Sequence, residues 1–151
     1  MGKYFTIEEL TYSSTAVSKK IDNTPNEEET KHLEELIEVL DDIREDWTQL
    51  CKEKKWGSPS IRVNSGFRGE ELNKAVGGSE TSEHRFGYAV DFEPNNQRNK
   101  EFWEFMVNYV KTKNINFSQL INEKPRNNIP SWVHFSINGL KGYRKQIFTL
   151  V

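Results

Sequence analysis

Between Ser82 and Asp91 the chain reads Ser-Glu-His-Arg-Phe-Gly-Tyr-Ala-Val-Asp, and this run restricts the fold more than any other. It sets an imidazole, His84, and a carboxylate, Asp91, seven positions apart, with Gly87 and Ala89 leaving room for close backbone approach between them. From Tyr88 to Phe92 the residues alternate: Tyr88, Val90 and Phe92 fall on one face, Ala89 and Asp91 on the other. A strand is expected here, with Asp91 turned away from the large apolar side chains. A second alternating run, Trp132 to Ile137, places His134 on a face with Trp132 and Ser136, while Val133, Phe135 and Ile137 take the other. Two such strands, with His84 just ahead of the first, bring two imidazoles and a carboxylate within reach of one divalent metal. The remaining position is open to water, which is a catalytic pattern, since structural zinc usually has four protein ligands and often uses Cys. Either histidine alone is more often a hydrogen-bonded structural residue; the paired context carries the metal reading.

The rest of the chain supplies a scaffold. At 151 residues it is expected to form one domain over residues 1–151, long enough for a real core. A charged fraction of 29% and a net charge of -2 give no overall basic field for nucleic acid or an anionic membrane. Cys51 is the sole cysteine, so no internal disulfide forms. No stretch approaches the roughly 18 apolar residues of a membrane span, and the first residues lack a signal-peptide core. Thr6 and Glu9 form a capping-box pattern for a short helix, followed by a loop rich in Ser and Thr. The clearest helix runs from Pro25 to about Lys54, capped by Thr24, with Glu27, Glu28 and Glu29 at the positive end of its dipole. Leu33, Leu36, Ile37, Leu40, Ile43, Trp47 and Leu50 make its buried stripe; His32 lies outside that stripe and is expected to be exposed and not a ligand.

Further on, Ile61 to Asn64 reads as a short strand, Leu72 to Val76 as a helical turn, and Gly77-Gly78-Ser79 as a flexible link. Asn99 to Lys113 forms a second helix, with Phe102, Phe105, Met106, Tyr109 and Val110 on its buried face. Phe117 to Glu123 is a strand that can pair with Trp132 to Ile137 as a hairpin with a long loop. The basic segment through Arg144 reads as a turn and solvated edge, then Ile147 to Val151 as an edge strand.

The spacing Ser-x-His-x-x-Gly-x-Ala-x-Asp followed by Trp-x-His resembles that of the zinc D-Ala-D-Ala carboxypeptidases and L-alanyl-D-glutamate endopeptidases, whose fold is shared with hedgehog signalling domains. The likeness extends to Val63-Asn64-Ser65-Gly66-Phe67-Arg68 and to Leu72 through Ser79, and covers roughly Ile61 to Ile137. Tyr12 to Ile21 also resembles the start of phage and bacterial members. The resemblance implies an α+β domain in which a small antiparallel sheet carries the site and the two long helices pack against it. It implies one Zn2+ held by His84, Asp91 and His134, and hydrolysis of a peptidoglycan stem peptide, either at a D-Ala-D-Ala end or between L-Ala and D-Glu. Arg68 matches an arginine that lines the substrate cleft, and a guanidinium suits two-pronged contact with a carboxylate. Ser82 is a candidate for bonding substrate or steadying the motif.

Many relatives carry Asp or Glu within a few residues before the final His, but here Pro130-Ser131-Trp132-Val133 holds none. Glu123 is the nearest acidic residue upstream and the candidate general base. The alternative is a non-catalytic zinc module of the same fold, serving in wall binding or as a phage structural part. The expected setting is a phage-type lysin that acts as a monomer, made in the cytoplasm without a signal peptide and released to the wall, with no nucleic-acid or membrane partner.

Overall fold

The structure, a computed structural model, describes residues 2–151. Thr6 Oγ1 accepts from the Glu9 amide at 3.1 Å and starts helix α1 (Ile7–Thr11). The Ser/Thr-rich stretch after it, expected to be a loop, instead forms α2 (Ser14–Lys19): Ser13 caps it by accepting from Ala16, and left-handed Lys20 ends it.

Helix α3 spans Glu27–Lys54, and its cap is Asn26 rather than Thr24. Asn26 Oδ1 accepts from the Glu29 amide at 2.8 Å while Glu29 Oε1 accepts from the Asn26 amide at 2.9 Å, a complete capping box that Thr24 cannot match. Thr24 donates its hydroxyl to Asp22 instead. The buried stripe is as expected except at its end, where Cys51 rather than Leu50 is fully covered.

Strands β1 (Ile61–Ser65), β2 (Ala89–Pro94), β3 (Gln119–Glu123), β4 (Trp132–Ser136) and β5 (Gln146–Leu150) make one sheet in the order β1-β2-β4-β3-β5. The first four are antiparallel to their neighbours, with β3 and β4 forming the long-looped hairpin. The fifth differs from the all-antiparallel expectation: β5 joins β3 in parallel, so the sheet is mixed. Helix α4 (Glu70–Ala75) follows β1, and α5 (Asn99–Thr112) follows β2. No helix among the described residues is long and apolar enough to cross a membrane.

Helices α3 and α5 cover one face of this sheet, and aromatic contacts fix how they sit. Phe102 of α5 meets Trp47 of α3 edge-on at 5.1 Å, and meets Phe92 of β2 edge-on at 5.1 Å. Because side chains alternate along a strand, locking Phe92 and Val90 into this core obliges Asp91 to face the other side. The same reasoning applies to β4, where Val133 and Phe135 are buried in the core and His134 emerges opposite. The cross-strand register then sets Asp91 directly beside His134, with Ile121 of β3 on the far side of His134.

Candidate metal centre

The sheet delivers two of the three expected ligands as a cross-strand pair, and a 3-10 turn over Glu83–Phe86 delivers the third. His84 Nε2 lies 3.2 Å from Asp91 Oδ1, and His134 Nδ1 lies 3.0 Å from the same oxygen. One ligand atom from each residue falls within 4.8 Å of the other two. Zinc bonds of about 2.0–2.1 Å at tetrahedral angles put neighbouring donors about 3.3–3.4 Å apart, so this donor set and its spacing fit one Zn2+.

Each orientation has a cause in the sequence. His84 Nδ1 is 2.8 Å from the Gly66 carbonyl, which can only accept, so the proton sits on Nδ1 and the Nε2 lone pair faces the centre. A register shift in β1 between Val63 and Ser65 interrupts the pairing just before Gly66. The turn itself is held by α3: Arg85 pairs with Glu29 at 2.6 Å, and His32 Nδ1 bonds the Phe86 carbonyl at 2.6 Å while its ring stacks on Tyr88 at 4.0 Å. His32 is therefore packed, not exposed as the helical pattern suggested, and it stands outside the metal cluster. Gly87 closes the turn at φ 83, and a Cβ there would lie 2.8 Å from the Glu29 carbonyl, so its small size serves the fit against α3 rather than the gap between ligands.

The electrostatics suit metal binding. Burial on its own raises a carboxyl, but the charges and hydrogen bonds of the two imidazoles overcome it and hold Asp91 well below the usual range. Burial pushes His84 down despite Asp91, which keeps it a neutral donor. His134 goes the other way: burial lowers it, yet Asp91 and Glu83 outweigh that and push it up to about 9.

The three ligands line an open cleft of about 610 Å³ together with Arg68, Ser82, Glu123, Trp132 and Arg144. Ser82 Oγ accepts from the His84 amide and from Arg68 Nη2, each at 3.3 Å. Glu123 projects from the same face of β3 as Ile121, two positions along, which makes it a diagonal neighbour of His134. Burial first and the Asp91 charge second raise its carboxyl, against the pull of His134 and Lys124.

Two features escaped the sequence reading. Arg144, expected on a solvated edge, turns into the cleft, with Nη2 3.3 Å from Glu83 Oε2 and Nε donating to Ser118 Oγ at 3.2 Å. Glu83 itself, beside His84 in the motif, is a buried carboxylate at 5% exposure. Its only sequence signal is its place in the motif, at a position the spacing leaves undefined.

No curated protein matches this chain. A family model described as Peptidase M15 matches residues 3–124. That segment contains His84, Asp91 and Glu123 and reaches back through α1 and α2. His134 lies beyond it, and the fold brings it to Asp91 through the β2–β4 register. With most of the chain matched and the ligand set complete in space, the chain belongs to the peptidase M15 family, and its centre is that of a zinc-dependent hydrolase of peptidoglycan peptides.

Proposed function

We propose that the chain cuts a peptidoglycan stem peptide, at a D-Ala-D-Ala end or between L-Ala and D-Glu, with Glu123 as general base and Arg68 as the anchor for substrate carboxylate or carbonyl oxygen. The observation that supports this most is that Glu123 and Arg68 line one cleft with His84, Asp91 and His134. His84, Asp91 and His134 would hold the zinc, which would supply Lewis-acid polarisation of the scissile carbonyl and acidify water.

The protein's own groups do the rest. Glu123 takes a proton from the attacking water and returns it to the leaving amine; its raised carboxyl pKa favours exchange in both directions. Arg68, oriented by Ser82, offers its guanidinium to the peptide and to the oxyanion as charge develops. Ser82 is engaged on both sides by the protein, which favours the steadying role over contact with substrate. The carboxylate missing before His134 in the sequence is replaced across the hairpin by Glu123, which favours the enzyme over a non-catalytic zinc module. All these groups come from one chain, so a monomer suffices, working at the cell wall in the manner of a phage-type lysin.

Mass spectrometry of muropeptides before and after incubation, with and without a chelator, tests the reading. The expected result is chelator-sensitive loss of a terminal D-Ala or cleavage after L-Ala. Unchanged muropeptides with the zinc-loaded protein would refute it.

A further inference from the structure

Glu83 plays no part in the chemistry above, yet its charge is buried and its surroundings are built for it. Ser136 Oγ donates to Oε1 at 2.6 Å, Ser118 Oγ donates to Oε2, and Arg144 Nη2 lies 3.3 Å from Oε2. These donors come from the end of β4, the residue before β3 and the segment before β5, so three parts of the chain converge on one carboxylate. The loop over it is fitted as closely: a Cβ at Gly139 would stand 2.2 Å from Glu83 Oε2. An ionised group in such a place costs free energy that an apolar side chain would not, so stability alone does not account for it.

What the carboxylate faces is the far side of a metal ligand. His134 directs Nδ1 at Asp91 and the centre, so when Nδ1 serves as a ligand the ring proton must sit on Nε2. Among the described residues the buried Nε2 has no hydrogen-bond partner, and Glu83 Oε1 is 3.9 Å away. That distance is an ion-pair contact rather than a hydrogen bond.

We propose that Glu83, clamped by Ser118, Ser136 and Arg144, is the positioning residue for His134, holding it as the Nε2–H tautomer with the Nδ1 lone pair on the metal site. The 3-10 turn thus carries one ligand, His84, and next to it the anion that orients another. This rests on the assignment of His84, Asp91 and His134 as the zinc site. Carboxylates behind metal-binding histidines fix the ring and raise its basicity, and their loss typically weakens metal binding about 10–100-fold.

The test is zinc affinity by chelator competition, with the visible spectrum of the cobalt(II)-substituted protein as a second readout, for the wild type and Glu83→Gln. The variant keeps the volume and removes the charge. Zinc binding weakened about 10–100-fold, with an altered cobalt spectrum, supports the proposal. Affinity within about threefold of wild type and an unchanged spectrum overturns it, even if the thermal midpoint falls, because a merely structural Glu83 predicts that pattern. Should Glu83→Gln fail to fold, Ser136→Ala carries the test: it removes the hydrogen bond on Oε1, and unchanged zinc affinity and cobalt spectrum there also overturn the role. A wild-type protein that binds no zinc overturns the metal site and this role together, whereas tight wild-type binding with an indifferent variant overturns only the role of Glu83.

Discussion

Zinc binding should displace one proton from the metal-free protein near neutral pH, and the structure says which. Asp91 is already ionised, because its two imidazole neighbours hold its carboxyl far down. His84 is already neutral, lowered by burial, with Nδ1–H bonded to Gly66. His134 alone is pushed up, to about 9, so below that pH it carries a proton that the metal must replace. The apparent zinc dissociation constant should therefore fall about tenfold per pH unit as pH rises, about hundredfold between about pH 6 and about pH 8, and level off above about pH 9. The sign in stability is opposite for the metal-free fold. A histidine raised from its ordinary value of 6.5 contributes stability fully present below that value and lost as pH rises through about 9. The zinc-induced rise in Tm should accordingly grow across the same window. Chelator competition at several pH values gives the slope, and calorimetry in two buffers of different ionisation enthalpy counts the proton. A pH-independent affinity, or no proton released on binding near about pH 6, would refute the assignment of His134 as the protonated ligand.

Other outcomes follow from the same geometry. Glu123→Gln should retain zinc but lose about 10²–10⁴-fold in kcat, read from single-turnover muropeptide cleavage; an active variant would move the base elsewhere. Phe102→Ala removes the ring that joins Trp47 to Phe92, and should cost about 3–5 kcal/mol in denaturant unfolding. Gly87→Ala meets both a left-handed φ of 83 and the Glu29 carbonyl at 2.8 Å, and should destabilise by at least about 1 kcal/mol, seen as a lower Tm.

The metal ligands were legible because two independent patterns agree on them. Motif spacing picked out His84 and Asp91, and alternation placed Asp91 and His134 on the less apolar faces of two strands, where the register joins them. The α3 stripe was legible for the same reason, since period and burial coincide from Leu33 to Trp47. What periodicity cannot reveal is what lies against a polar face. His32 falls outside the apolar stripe, yet the turn bearing His84 packs on it through Phe86 and Tyr88. Arg144 sits in a basic, turn-like segment whose composition looks solvated, and its destination depends on β5 pairing in parallel with β3, which no local signal encodes. The start of α3 was readable by a rule already in use: Asn26 stands three residues before Glu29, and the Pro25 signal drew the boundary too early.

Zinc content and coordination of the purified protein, set beside those of His84→Ala, test the central claim most directly. Elemental analysis after dialysis against trace zinc should give one zinc per wild-type chain, with X-ray absorption showing nitrogen and oxygen donors at about 2.0–2.1 Å and no sulfur. His84→Ala should keep its circular dichroism and lose both the metal and the activity. A folded His84→Ala protein that still holds zinc and cleaves muropeptides would contradict the account.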